Sequence, residues 1–178
     1  MRLDHFAMID WDGFRAITDA LGGVEIQVGS NEPTLMDGQE ALDYVRERYN
    51  LPGGDFDRVK RQQNFLRSLA RGVLNAGTLT NPIKLKSTLD AVTNNMAVDA
   101  GWTSGSMRGL AFSMRNLRTS DMTFLTVPTT GTASDPVAGS IVVLDEAKCA
   151  ELFEAIRTDN VAEWVAANPE WTTGGFVR

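Results

Sequence analysis

An α/β layered fold is the architecture this sequence predicts, and three observations carry it. Stretches with helical spacing alternate with short β-branched runs along the whole chain. The 178 residues hold 43% hydrophobic and 22% charged side chains, an ordinary globular balance. There is no linker long enough to separate two domains, no internal repeat and no low-complexity tract. A chain of this size buries a real core as one domain. The division expected is one domain over 1–167 and a polar tail over 168–178, frayed from Pro169 onward.

Phe6 to Ile9 is an apolar run that reads as a strand. Asp10 and Asp12 then offer capping oxygens to a helix over Gly13–Leu21, in which Phe14, Ile17 and Leu21 recur at helical spacing. Gly22-Gly23 ends it, because glycine tolerates the left-handed cap. Val24, Ile26 and Val28 alternate with Glu25 and Gln27 as a strand with one buried face. Residues 29–37 are loop-like, and Asp37 caps a short helix from about Gly38 to Tyr44. After a loop with Pro52 and Gly53-Gly54, Asp55 opens the longest helix, which runs to Asn75-Ala76-Gly77. Pro82 suits a first helical turn, and that helix fades near Asn94-Asn95. Further helices are expected over Ser104–Leu117, from Asp145 to Thr158 and over Val161–Ala167, with strands over Met122–Val127 and Ser140–Leu144.

Charge and composition exclude several functions. The net charge of −6 lacks the long-range field that nucleic-acid binding needs, so no nucleic-acid partner is expected, and any anion site must be a local cluster of arginines. Cys149 is the one cysteine and reads as a packed core thiol, while His5, the one histidine, excludes a site built on two imidazoles. No window approaches the ~20 apolar residues of a membrane span, and no signal-peptide core follows Met1. The abrupt start at a strand is expected of a chain that begins inside a domain. Such a chain should expose an apolar surface.

Chemistry concentrates between Ala41 and Gln63. Arg46 and Arg48 flank Glu47. If the helix ends near Tyr44 and the chain is extended beyond it, both guanidinium groups share a face. Two arginines side by side repel unless an anion lies between them, and a diphosphate accepts bidentate contacts from both. On a wheel of about 100° per residue, Phe56, Val59, Leu66, Ala70 and Val73 define the buried arc of the long helix, with Lys60, Asn64, Arg67 and Arg71 opposite. Asp55, Arg58 and Gln62 form one ridge at the edge of that arc. Asp55 serves to cap the helix and to orient Arg58, and Gln62 to donate an amide hydrogen bond. The plain alternative is a solvated face over Lys60, Arg61, Arg67 and Arg71, with Asp55–Arg58 a surface pair worth under ~1 kcal/mol.

The run ALDYVRERYNLPGGDFDRVKRQQ at 41–63 resembles the signature of LytR–CpsA–Psr proteins, A-L-x-Y-V-R-x-R, a short loop, then G-D-x-x-R-x-x-R-Q. HFAMIDWDGFRAITDALGGVEIQV at 5–28, LMDGQEAL at 35–42 and GSIVVLDEAKCAELFEAI at 139–156 are similar to other parts of the same family, and the wording of the first looks actinobacterial. The resemblance covers roughly residues 3–160. It implies a three-layer α/β/α fold with a mixed sheet, of which this chain lacks the N-terminal portion. It implies an apolar tunnel for a polyprenyl chain, with the lipid diphosphate at its mouth. The implied reaction moves a phospho-glycopolymer from its lipid carrier to peptidoglycan and releases lipid phosphate. Carried over by position, Arg46, Arg48, Arg58 and Gln62 would bind the diphosphate, the three arginines serving catalysis, and Asp55 would orient them. Arg61 also matches the motif, although the wheel turns it from the ridge.

The family's magnesium ion is implied for the complete domain. Its aspartate ligands belong to the N-terminal portion, so no metal ligand is expected here, and Asp10 and Asp12 read as helix caps. The complete protein would be extracytoplasmic and membrane-anchored, with this region close to the membrane through its lipid substrate. Two other readings stay open: a non-catalytic polyprenyl-phosphate binding module, and an envelope-related transcriptional attenuator.

Overall fold

The computed structural model of the protein describes residues 4–29, 32–75 and 82–174. Outside them lie part of the 29–37 loop, the expected helix stop at Ala76-Gly77 and the last four residues of the expected tail. The chain forms two compact units, divided between Met122 and Thr123, with Gly174 grouped with the first.

The larger unit opens with strand β1, Ala7–Ile9, and helix α1, Trp11–Ala20. Asp10 caps α1 by accepting from the Gly13 N–H at 2.8 Å. At its far end Gly22 and Gly23 take φ of +84° and +91°. Gly23 is required twice over, since a Cβ there would lie 2.8 Å from the Met36 carbonyl. Strands β2, Val24–Ile26, and β3, Thr34–Met36, pair antiparallel, with Val24 opposite Met36. Helix α2, Gly38–Arg46, starts with a reciprocal capping box between Asp37 and Glu40. Gly38 lets it cross α1 closely, because a Cβ there would meet the Arg15 backbone at 2.6 Å. Helix α3, Asp55–Asn75, then lies against β2 and α2. Val24, Ile26, Ala41, Leu42, Tyr44, Val45 and Phe65 make the buried cluster, and Phe14 stacks on Phe65 at 4.5 Å. Each such large side chain contributes about 1.5–3 kcal/mol on burial.

Helix α4, Pro82–Asn94, packs on α1 and leads to strand β4, Met96–Val98, which pairs antiparallel with β1. Helix α5, Ser104–Ser113, is capped by Thr103 and ends in a short 3-10 turn, so the helix expected to Leu117 stops early. An apolar surface is exposed at the start of the chain: Phe6, Met8 and Trp11 are each more than half open to solvent.

The smaller unit holds a hairpin of β5, Thr129–Asp135, and β6, Gly139–Leu144, then α6, Glu146–Arg157, and α7, Val161–Ala167. Cys149, Leu152, Trp164 and Pro128 are buried within it, and the Cys149 thiol donates to the Pro128 carbonyl at 3.3 Å. The strand expected over Met122–Val127 is replaced by one isolated bridge between Leu125 and Thr172. That bridge holds the segment read as a frayed tail in place as far as Thr173, which is buried. Among the described residues the strands make three antiparallel pairs rather than one mixed sheet. Helices and strands are mixed along the described chain, as expected of an α/β chain, although β2 and β3, α2 to α4, and β5 and β6 follow one another without alternating.

Candidate functional site

Three pieces of the larger unit form the site: the start of α1, the end of α2 with its following loop, and the first turns of α3. An apolar cavity of about 500 Å³ lies among α1, α2, α3 and α4, with walls that include Trp11, Phe14, Val45, Phe65 and Leu66. Gln62 lines it as well and donates to the Val45 carbonyl at 3.5 Å, a long and weak contact. The guanidinium of Arg46 sits 5.1 Å from the ring centroid of Trp11, within cation–π range. A cation thus lies over a ring that also forms part of the apolar cavity wall.

Helix α2 extends through Arg46, two residues beyond the stop expected at Tyr44. Arg46 is therefore helical, and the extended geometry expected to align it with Arg48 is absent. The turn comes at Glu47, with φ −57° and ψ 132°. Its Oε1 accepts from the backbone N–H groups of Arg48 at 2.8 Å, Tyr49 at 2.8 Å and Asn50 at 3.1 Å, and Oε2 from Asn50 Nδ2 at 3.1 Å. These bonds, the Asn50 backbone donor foremost, hold the Glu47 carboxyl below its usual range. Arg48 lies exposed in the loop that follows.

On α3, Asp55 and Arg58 form the expected ion pair at 2.5 Å. Capping falls elsewhere: Asp57, rather than Asp55, accepts from the Gly53 N–H at 2.8 Å. That bond, with Lys60 beside it, holds the Asp57 carboxyl low. The Nε of Arg58 is buried with no hydrogen-bond partner among the described residues. Arg61 lies over the ring of Tyr44 at 4.7 Å, so it braces the core beside the site.

The helical wheel proved misphased further along α3. Asn64, expected to face water, is 2% exposed, while Leu66, expected inside, is 50% exposed. The reason is polar: Asn64 Nδ2 donates to the Gln27 carbonyl at 2.9 Å and to the Tyr44 hydroxyl at 3.1 Å. Burial pushes the Tyr44 hydroxyl pKa up, partly offset by Asn64 and Arg61. Arg67 and Arg71, expected in water, are half-buried. Burial first, and the charge of Arg71 second, push the Arg67 pKa down.

For magnesium, no group of three or more histidine, cysteine, aspartate or glutamate side chains that could hold a metal occurs among the described residues. The carboxylates nearest the arginines are committed, Glu47 and Asp57 to backbone N–H groups and Asp55 to Arg58. Asp10 caps α1 and Asp12 pairs with Arg15. These residues do not fit a magnesium site. Spacing in the sequence pointed to Arg46, Arg48, Arg58 and Gln62, but Trp11, Glu47 and Asn64 escaped it. The only sign of Glu47 was its place between two arginines.

A family model described as the LytR_cpsA_psr family matches residues 1–158. The cell wall biosynthesis protein LcpA of Corynebacterium glutamicum is 40% identical over 156 residues, 80% of this chain and 30% of its own length. A polyisoprenyl-teichoic acid–peptidoglycan teichoic acid transferase, TagU of Enterococcus faecalis, is 28% identical over 127 residues, 64% of this chain and 39% of its own. The crystal structure of B. subtilis TagV has a similar fold, with a TM-score of 0.72 at 18% identity, covering 90% of this chain and 65% of that one. This chain spans about a third of the length of the curated relatives it matches.

Proposed function

Because the chain belongs to the LytR_cpsA_psr family, we propose that it carries the lipid-diphosphate half of a cell-wall glycopolymer transferase. One observation carries the reading: Arg46 lies over Trp11, a wall of the apolar cavity that Gln62 also lines. The cavity takes the polyprenyl chain. Arg46, Arg48 and Arg58 bind the diphosphate, Gln62 donates from the cavity edge, and Asp55 holds Arg58 in place. Arg61 acts through Tyr44 and not on the ligand.

In the reaction proposed, a hydroxyl of peptidoglycan attacks the phosphorus attached to the glycopolymer. The bond from that phosphorus to the bridging oxygen breaks, polyprenyl phosphate leaves, and the hydroxyl proton passes to solvent or a base. Negative charge grows on the bridging oxygen, and fixed guanidinium groups stabilise it there. Magnesium, where the complete domain holds it, would add positive charge to the diphosphate. The complete protein works on this reading at the envelope, anchored at the membrane that holds its lipid carrier.

A second reading, a lipid-phosphate binding module without chemistry of its own, draws support from the committed carboxylates, which leave no evident base beside the arginines. Binding and release measured side by side test both. The chain should bind a polyprenyl diphosphate more tightly than the matching polyprenol, and Arg46→Ala should reduce the preference. Release of polyprenyl phosphate in the presence of peptidoglycan supports the transferase, and preference without release supports the binding module. Equal affinity for the two lipids refutes both.

A further inference from the structure

We propose that Glu47 is the positioning residue of the diphosphate site: it closes the turn after α2 and leaves both flanking arginines available to the ligand. This rests on the reading of the site as one for a polyprenyl diphosphate. Successive backbone N–H groups aimed at one point form a concavity that binds anions. Here the N–H groups of Arg48, Tyr49 and Asn50 converge on Oε1 of Glu47, so the chain's own carboxylate fills the concavity.

Two consequences follow. The backbone cannot also hold a phosphate, so the headgroup must be met by side chains. The carboxylate between Arg46 and Arg48 also forms no ion pair with either among the described residues, although a neighbour of opposite charge is the ordinary way to neutralise an arginine. Both positive charges remain for an outside anion. The turn has little else to order it: Tyr49 is 92% exposed and packs no ring against the unit. Without the carboxylate, Arg48 would sample many directions, and ordering it would fall on ligand binding.

The test is binding of geranylgeranyl diphosphate and of geranylgeraniol by the whole chain, read by calorimetry. Glu47→Ala should weaken diphosphate binding about tenfold, leave geranylgeraniol binding unchanged and keep a cooperative melt. In an Arg48→Ala background the same change should add nothing, because both remove one positioned guanidinium. Glu47→Gln, which keeps one acceptor oxygen but turns a donor toward Asn50, should fall between, and it carries the comparison if Glu47→Ala fails to fold. Additive losses in the double variant, or equal loss of the alcohol, overturn the role of Glu47. So does a diphosphate affinity that neither Glu47→Ala nor Glu47→Gln changes. If the unaltered chain binds both lipids equally, the diphosphate reading itself falls, and this role with it.

Discussion

Arg46 and Arg48 differ from Arg67 and Arg71 in everything except side-chain type. The first pair brackets the end of α2. Arg46 lies on an aromatic ring at an apolar cavity and Arg48 lies in open solvent. The carboxylate between them is engaged with backbone. The second pair sits on α3, half-buried, where Arg67 donates to the Gly174 carbonyl and is depressed by burial and by Arg71. Arg67 is thus taken up by a backbone carbonyl of the fold, whereas Arg46 and Arg48 keep exposed faces, as the proposed ligand site needs. Counting arginines does not separate the two cases, but tracing the partners of each does.

The largest expected effect would break the comparison at the ligand. Arg46→Ala and Arg58→Ala should each weaken binding of a polyprenyl diphosphate ~10–100-fold, the worth of one charge-assisted contact in a shielded site. Lys60→Ala should leave it unchanged, since Lys60 is exposed and pairs with Asp57 at 3.2 Å. Asp55→Ala should fall between, because it frees Arg58 without touching the ligand. Calorimetry with the diphosphate reads all four. Equal losses at Arg46 and Lys60 would reduce the cluster to a solvated surface.

The next effect is on stability and concerns the scaffold that both pairs share. Asn64→Leu removes the donor to the half-buried Gln27 carbonyl and to the buried Tyr44 hydroxyl. It should destabilise the chain by about 1–3 kcal/mol in urea titrations. A neutral result would mean that the burial of Asn64 is incidental and that the phase of α3 is set by packing alone. Arg71→Met probes the second pair directly. It removes the like charge that depresses Arg67, so stability should hold or rise by up to about 1 kcal/mol. A clear loss would show that Arg71 has a favourable role of its own.

The sequence made the start of the unit readable because its signals are local. Asp10 and Asp37 stand where caps belong, and Val24, Ile26 and Val28 alternate as a strand should. It misled where a distant partner decides. The turn of α3 depends on Gln27 and Tyr44, thirty-seven and twenty residues from Asn64, and no wheel drawn on α3 alone contains them. β5 reads TTGTASD, with no apolar alternation, and becomes a strand only through pairing with β6. Met122–Val127 has the alternation but meets one isolated bridge instead of a sheet. At the site, Arg46, Arg48, Arg58 and Gln62 were legible as charge and spacing. The role of Glu47 was not, because a carboxylate beside two arginines looks like their ion-pair partner until its hydrogen bonds are traced.

The smallest expected effect sharpens the comparison through pH, at the loop that joins the first pair to α3. Asp57 ties Gly53 to the first turn of α3, and its pKa is lowered chiefly by that hydrogen bond. A carboxyl held below its unfolded value favours the folded state at neutral pH, and the contribution fades as pH falls through the lowered value. Asp57→Asn should therefore be less stable than the unaltered chain at neutral pH. The gap should be under about 0.5 kcal/mol, since water screens a surface pair. It should close in acid, below the lowered pKa, where the carboxyl is protonated and uncharged like the amide. Urea midpoints at the two pH values read it. A gap that persists in acid would assign the effect to the shape of the loop, because an amide that cannot replace the carboxylate geometrically fails at every pH. Should it close as expected, the carboxylate charge at Asp57 anchors the start of α3, and Arg58 stands on that anchor.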